Sequence, residues 1–188
     1  NGKNKTIGVD IMADVLVIGG SGFVGTELIV QLKKRKDSIS VIDRKKCDND
    51  VETIQVDITD NALLQKSLDN RKFDIIYHVA SLPGDTGNPH EMMNVNVLGL
   101  LNMLEWARHH PVSRYVVCSS ISAYEWYPAT KFNPPDYMPV DENHHCRPKD
   151  MYSTTKRIQE LLAMTYYHQY KVPTTVLRLT AVVGPRGK

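Results

Sequence analysis

The chain has 188 residues, of which 41% are hydrophobic and 23% charged, enough for one sizeable domain with a buried core. Its net charge of +2 gives no electrostatic reason to expect nucleic acid or an acidic membrane as a partner. No apolar run approaches the roughly 20 residues that a membrane-spanning helix needs.

The first segment, residues 1–12, is polar and lacks any periodic apolar pattern. We expect it to be a disordered extension or a leader left by cloning, with Met12 as the original start. From residue 13 onward, short β-branched segments alternate with longer patterns of helical period. In chain order we predict strand 15–19, helix 24–36, strand 39–43, strand 53–58, helix 60–68 capped by Asp60, strand 75–80, helix 90–110, strand 114–120, helix 150–170 and strand 174–180.

This alternation is typical of βαβ units, which build a parallel sheet with helices on both faces. The predicted strands are almost continuously apolar, as expected when both faces of a sheet are covered. The sequence therefore predicts a doubly wound α/β domain over residues 13–188.

A glycine-rich segment, GGSGFVG at residues 19–25, joins the first predicted strand to the first predicted helix. Glycine permits a tight turn and lets backbone amides approach a pyrophosphate, and a helix N-terminus adds N–H donors and partial positive charge. The spacing of Gly19, Gly22 and Gly25 in this context predicts an NAD(P)-binding Rossmann fold. An ordinary flexible turn is the alternative.

The second predicted strand ends in Asp43, 18 residues after Gly25. A carboxylate there can accept hydrogen bonds from the adenosine ribose hydroxyls and would repel a 2′-phosphate, which favours NAD. The basic residues that follow, Arg44 above all, can accommodate such a phosphate, so NADP stays open. Asp57, at the end of the third predicted strand, is placed to contact the adenine amino group or to cap the next turn.

Polar residues also follow the fifth predicted strand, where the sequence reads SSISAY. Ser120 falls at the carboxyl edge of the sheet, and in MYSTTK the residues Tyr152 and Lys156 lie one helical turn apart. Ligands of open α/β sheets bind beyond this edge, so these side chains are candidates for the chemistry. Turn-forming serines and an exposed Tyr–Lys pair are the alternatives.

Together these motifs resemble the extended short-chain dehydrogenases/reductases, also called the NAD-dependent epimerase/dehydratase family. The resemblance covers residues 13–186. It rests on GGSGFVG (19–25), Asp43, Asp57, HVAS (78–81), NVLG (96–99), SSISAY (119–124), YSTTK (152–156) and RLTAVVGPR (178–186).

The resemblance implies a catalytic set of Ser120, Tyr152 and Lys156, with Asn96 as structural or proton-relay support. Lys156 would hold the nicotinamide ribose, and its charge, together with that of the oxidised nicotinamide, would stabilise Tyr152 as phenolate. A phenol with a pKa near 10 is otherwise a poor base at neutral pH. Ser120 would orient the reacting oxygen. The residues expected to contact the cofactor are Gly19, Gly22, Phe23, Val24, Gly25, Asp43, Arg44, Asp57, Ile58, Ala80, Ser81, Asn96 and Lys156.

Departures from the family pattern narrow the range of reactions that the resemblance allows. The sugar dehydratases of the family place Asp and Glu after the catalytic Ser or Thr, the decarboxylases place Glu at the second of these positions, and the 3,5-epimerases place Cys there. This chain has Ile121 and Ser122 instead. The resemblance then implies plain oxidoreduction, or oxidation of a single carbon followed by return of the hydride to that carbon.

The chain matches the family less completely in the parts that bind the substrate than in those that bind the cofactor. Family members that use nucleotide sugars commonly carry Asn where this chain has Ala181, and that Asn helps to hold the substrate phosphates. Members also continue into a small C-terminal substrate domain, so this domain is expected to be missing from the 188 residues.

The resulting hypothesis is an NAD-dependent epimerase or dehydrogenase acting on a hydroxyl or ketone carbon of a sugar or nucleotide sugar. Two alternatives stay open: an NADP-dependent reductase of a non-sugar ketone or aldehyde, and a regulatory protein that binds NAD(P) without turnover.

Weaker features of the sequence bear on the oligomeric state, the cellular compartment and metal binding. The family implies a homodimer formed through the helices at 90–110 and 150–170. Three widely spaced cysteines fit a reducing cytoplasm. We expect no metal at His144, His145 and Cys146, because adjacent residues cannot easily chelate one ion together.

Overall fold

The computed structural model describes residues 12–84, 88–124 and 134–184. Except for Met12, the predicted leader lies outside the described residues. The strands are β1 Asp14–Ile18, β2 Ser38–Asp43, β3 Glu52–Gln55, β4 Ile75–His78, β5 Arg114–Ser120 and β6 Thr174–Leu179. The helices are α1 Phe23–Lys34, α2 Asn61–Ser67, α3 Pro89–Met92, α4 Gly99–His109 and α5 Met151–Tyr170.

The six strands form one sheet in the order β3-β2-β1-β4-β5-β6, and every neighbouring pair is parallel. The chain reverses its direction of winding between β3 and β4, so the segments that follow β1 and β4 leave toward opposite faces of the sheet and open a crevice between them. The predicted doubly wound parallel sheet is confirmed.

Two apolar layers cover the sheet. On one face, Val15 and Val17 of β1 pack with Ile29 and Leu32 of α1. On the other face, β1, β4 and β5 pack against α4 and α5 through a larger cluster centred on the fully buried Tyr115. This burial on both faces explains why the strands are apolar along their whole length.

Two strands end two or three residues earlier than predicted. β3 stops at Gln55 instead of residue 58, and the next amide, of Val56, donates to the Asp43 carbonyl at 3.1 Å. β4 stops at His78 instead of residue 80, since the amides of Val79 and Ala80 both donate to the Ile18 carbonyl. Both segments stay apolar beyond the strand because they line or underlie the crevice, so the pattern does not show where pairing stops.

The helix predicted at 90–110 is present but is not uniform. Between α3 and α4 the backbone forms a π-helical turn over Met93–Leu98. Such wide turns are common at functional sites, and this one contains Asn96. Among the described helices, none is both long and apolar enough to cross a bilayer.

Candidate active site

The glycine turn after β1 is built for close approach. Gly19 has a φ of +88°, and a Cβ atom there would lie 2.6 Å from the Ala80 amide nitrogen. A Cβ on Gly25 would collide with the Gly19 carbonyl oxygen. Only glycine fits both positions, so β1, β4 and the start of α1 can converge at one point.

The N-terminus of α1 is open toward the crevice. Its N-cap is Gly22, and no side chain among the described residues caps it; the first turn contains no acidic residue. Unsatisfied N–H groups and the helix dipole therefore point toward a position where an anion would be stabilised. This arrangement fits the pyrophosphate of a dinucleotide.

Asp43 lies at the adenosine end of the same crevice. Its carboxylate accepts hydrogen bonds from the Ser21 amide at 3.0 Å and the Lys45 amide at 3.1 Å. Asp57 accepts from the amide and hydroxyl of Thr59, so it stabilises its own turn, and its second oxygen lies 4.0 Å from the Arg44 guanidinium. The cap of α2 is Asp60, as predicted.

The crevice has a volume of about 450 Å³. Eight of the predicted cofactor residues line it: Gly19, Gly22, Asp43, Arg44, Asp57, Ile58, Ala80 and Ser81. Phe23 and Val24 line a different groove, between α1 and residues 182–184. Gly25 is buried in the turn.

Asn96 does not line the crevice and is completely buried. Its Oδ1 accepts from the Leu82 amide at 2.7 Å, and its Nδ2 donates to the Leu82 carbonyl at 3.2 Å and the Thr155 hydroxyl at 3.0 Å. Its own carbonyl accepts from Gln159 at 2.6 Å. Asn96 therefore fixes the loop after β4 to α5, which corresponds to the structural support predicted for it and not to cofactor contact.

Ser120 ends β5 and begins a single 3₁₀ turn, Ile121–Ala123. Its hydroxyl oxygen accepts the Ser122 amide at 3.1 Å and lies 3.1 Å from the Ser122 hydroxyl. The Ser120 hydroxyl also forms a hydrogen bond with the side chain of Tyr152. Ser120 and Tyr152, which are 32 positions apart in the chain, thus meet at the sheet edge.

Tyr152 and Lys156 lie in the first two turns of α5, which starts with a capping box formed by Asp150 and Ser153. Lys156 is 4% exposed; its ammonium donates to the Cys118 carbonyl at 2.9 Å and lies 5.6 Å from the centre of the Tyr152 ring. Burial lowers the pKa of Lys156 from 10.5 to about 8.

The predicted stabilisation of the Tyr152 phenolate, by Lys156 together with the oxidised nicotinamide, stays a prediction. The pKa of Tyr152 is raised, chiefly by burial and further by the Asp150 carboxylate, and the Ser120 hydrogen bond opposes this only in part. Burial penalises the phenolate, while the ammonium of Lys156 is directed to the Cys118 carbonyl. Without further positive charge, Tyr152 stays a protonated phenol.

Two further charged residues meet behind the predicted catalytic residues, and this contact was not predicted. Glu160 of α5 is 2% exposed and binds Arg178 of β6 through both of its oxygens, each at 2.9 Å. Arg178 opens the segment RLTAVVGPR, but its partner lies 18 positions away on another element, and nothing in the local sequence pairs them. The last two residues of that segment lie outside the described ranges.

The comparison with protein families shows which family the chain belongs to. The family model described as "NAD dependent epimerase/dehydratase family" matches residues 15–188. The chain belongs to this family.

Relatives within the family are only moderately similar. UDP-glucuronate 4-epimerase 5 of Arabidopsis thaliana is 31% identical over 193 residues, covering 93% of this chain and 43% of the relative. A crystal structure of UDP-galactose 4-epimerase matches with a TM-score of 0.79 and 28% identity, covering 92% of this chain and 57% of the other. The Bordetella bronchiseptica enzyme WbmG, solved in complex with NAD and UDP, matches with a TM-score of 0.77 and 26% identity, covering 94% and 56%.

The chain therefore spans about half the length of the curated relatives it matches. Because the family is NAD-dependent and the crevice fits a dinucleotide, NAD is the cofactor of this fold.

The histidine-rich loop shows no metal arrangement. His144 is buried and its Nε2 accepts from the Asp136 amide at 3.0 Å, and the His145 Nδ1 lies 3.1 Å from the Asp136 carboxylate. Over the part of the chain that the structure describes, no three His, Cys, Asp or Glu side chains are grouped to hold an ion.

Proposed function

We propose that this chain provides the NAD-binding and catalytic part of an enzyme that inverts one hydroxyl-bearing carbon of a nucleotide sugar. The observation that supports this most directly is the convergence of Ser120, Tyr152 and Lys156 at the carboxyl edge of the sheet. The crevice opens at the same edge, although none of the three residues lines it. The names of the relatives, UDP-glucuronate and UDP-galactose 4-epimerases, support a nucleotide sugar inverted at carbon 4.

The three side chains have complementary roles in this proposal. Ser120 donates a hydrogen bond to the reacting oxygen and orients it, and Tyr152 accepts the hydroxyl proton and later returns it. NAD, when bound, would supply the acceptor for the hydride from the same carbon and the positive charge that the phenol needs to ionise. Lys156 holds the ribose hydroxyls next to Tyr152.

Ile121 and Ser122 support inversion over dehydration. Neither side chain can act as an acid or base near neutral pH. In the structure Ser122 binds Ser120 through its amide and its hydroxyl, so its role is to hold the catalytic serine in place.

A second candidate function is a dehydrogenase for a hydroxyl compound that carries no nucleotide. Ala181 favours it, because a methyl group cannot hydrogen-bond a phosphate at the position where nucleotide-sugar enzymes of the family commonly carry Asn. A dehydrogenase releases the ketone together with reduced cofactor, whereas an epimerase accumulates neither.

One experiment separates these functions. The full-length protein is incubated in D₂O with NAD and either UDP-glucose, UDP-galactose or UDP-glucuronate, and products are followed by NMR. Epimerisation by hydride return yields the inverted sugar with hydrogen, not deuterium, at the inverted carbon. Accumulation of reduced cofactor would favour the dehydrogenase, and turnover of none of the three sugars would contradict the nucleotide-sugar assignment.

The assembly we propose is a homodimer through α4, α5 and the π-helical turn. Large apolar side chains on these elements stay exposed in the single chain, among them Leu98 at 46%, Leu161 at 47% and Tyr167 at 51%. Light scattering at several concentrations tests this, and a monomer throughout would contradict it. We also place the protein in a reducing compartment such as the cytoplasm, which the three free cysteines support.

A further inference from the structure

Glu160 forms a nearly fully buried charge cluster one helical turn after Lys156. Its Oε1 accepts from the Ser119 hydroxyl at 2.6 Å and the Arg178 Nε at 2.9 Å. Its Oε2 accepts from the second Arg178 nitrogen at 2.9 Å and from Arg157 at 2.8 Å. Both carboxylate oxygens are therefore held by charge-assisted hydrogen bonds with defined geometry.

The cluster joins every element that carries a catalytic residue. Ser119 directly precedes Ser120 at the end of β5 and is paired in register with Arg178 of β6. Arg178 also donates to the Glu142 carbonyl at 3.0 Å and lies 4.6 Å from the centre of the Tyr124 ring. A single carboxylate thus connects α5 to the ends of both strands and, through Arg178, to the loop that follows β5.

We propose that Glu160 is a positioning residue: with Arg178 as its counter-ion, it fixes the end of β5 against α5 and maintains the charge of Lys156. The inference rests on the proposed function, because it assumes that Lys156 holds the cofactor and Ser120 the substrate. Glu160 contacts neither and acts only through Ser119 and Lys156.

The charge of Lys156 is sensitive to its neighbours. Burial lowers its pKa to about 8, and Cys118 of β5 and Glu160 of α5 oppose that change. Lys156 in turn lowers the pKa of His78 of β4, and Tyr152 of α5 lies alongside. With a pKa this close to neutral pH, removing one neighbouring charge changes the fraction of ammonium present.

The test measures the NAD dissociation constant of the full-length protein between pH 6 and pH 10. If the ammonium of Lys156 binds the ribose, wild-type affinity falls above pH 8, and at pH 8 the dissociation constant is about twice its value at pH 6. Glu160→Gln removes the negative charge of residue 160. The loss of NAD affinity at alkaline pH, called the alkaline decline below, therefore begins at lower pH. The dissociation constant at a fixed alkaline pH then grows about tenfold for each unit by which the pKa falls.

Arg178→Gln is the matched variant, and its expected pH shift is opposite to that of Glu160→Gln. It removes the charge that neutralises Glu160, so the alkaline decline moves to higher pH. A purely structural role would move the decline in neither variant or in the same direction in both. Circular dichroism verifies that each variant is folded, and the opposite directions of the two shifts together decide the question.

The outcomes separate this inference from the proposed function. If the wild-type decline is absent, or persists in Lys156→Met, Lys156 does not bind the cofactor and both proposals fail. If the wild-type decline is present and lost in Lys156→Met, but Glu160→Gln leaves it unmoved, the function of Lys156 stands and the role of Glu160 is refuted.

Discussion

Replacing Lys156 by Met should stabilise the fold while weakening NAD binding. Lys156 is 4% exposed, and its pKa falls from 10.5 to about 8, chiefly because burial removes its hydration. A difference of this size corresponds to about 3 kcal/mol of destabilisation when the group is charged. Methionine has nearly the same shape and removes this term, but it leaves the Cys118 carbonyl without its donor, which costs about 1–3 kcal/mol.

The pH dependence of stability is the sharper part of this prediction. Between pH 8 and pH 10.5 the unfolded chain keeps the Lys156 proton while the folded chain has lost it, so the free energy of unfolding rises with pH. From pH 6.5 to pH 10 the wild type should gain about 2–3 kcal/mol that Lys156→Met does not gain. The destabilisation is thus complete below pH 8 and disappears as the pH rises.

Urea unfolding of both proteins at several pH values measures the difference directly, because all other titrating groups are shared. Lys66→Met, which removes an exposed lysine of α2, is the matched control and should follow the wild type. Calorimetry should show NAD affinity reduced about tenfold to a hundredfold in Lys156→Met, since a charged hydrogen bond contributes about 1.5–3 kcal/mol. A stability difference between wild type and Lys156→Met that stays constant with pH would refute a buried, charged Lys156.

Two other residues give separate predictions. Asp43→Asn should reduce the preference for NAD over NADP in calorimetric titration, because it removes the repulsion of a 2′-phosphate while Arg44 still lines the crevice. Wild-type protein that binds NADP as tightly as NAD would contradict this reasoning. Asn96→Ala should lower the free energy of unfolding by about 2–4 kcal/mol, since three buried hydrogen bonds are lost at about 1 kcal/mol each and the Leu82 amide loses its partner. The exposed Asn94→Ala is its control, and equal urea midpoints for the two Asn variants would show that the Asn96 network does not contribute.

The parts of the site that the sequence predicts are those encoded locally. The glycine turn, Asp43 at the end of β2, and the one-turn spacing of Tyr152 and Lys156 can each be read from a few adjacent residues. The same holds for the alternation of strands and helices, which determined the fold class.

The parts that the sequence does not predict depend on contacts between distant residues. Asn96 meets Thr155, and Glu160 meets Ser119, across 59 and 41 positions respectively. Neither the π-helical turn nor the end of β3 changes the apolar pattern, so hydrophobic periodicity gives no signal for them. The raised pKa of Tyr152 results from burial, which a motif does not report.

The central claim is that Tyr152 is the acid–base catalyst beside a bound NAD. The most direct test compares wild type and Tyr152→Phe in the full-length protein, measuring turnover of the sugar substrate and the NAD dissociation constant. Loss of a positioned acid–base catalyst should reduce turnover by about 10²–10⁴-fold, while NAD affinity stays near the wild-type value. Wild-type turnover in Tyr152→Phe would contradict the account.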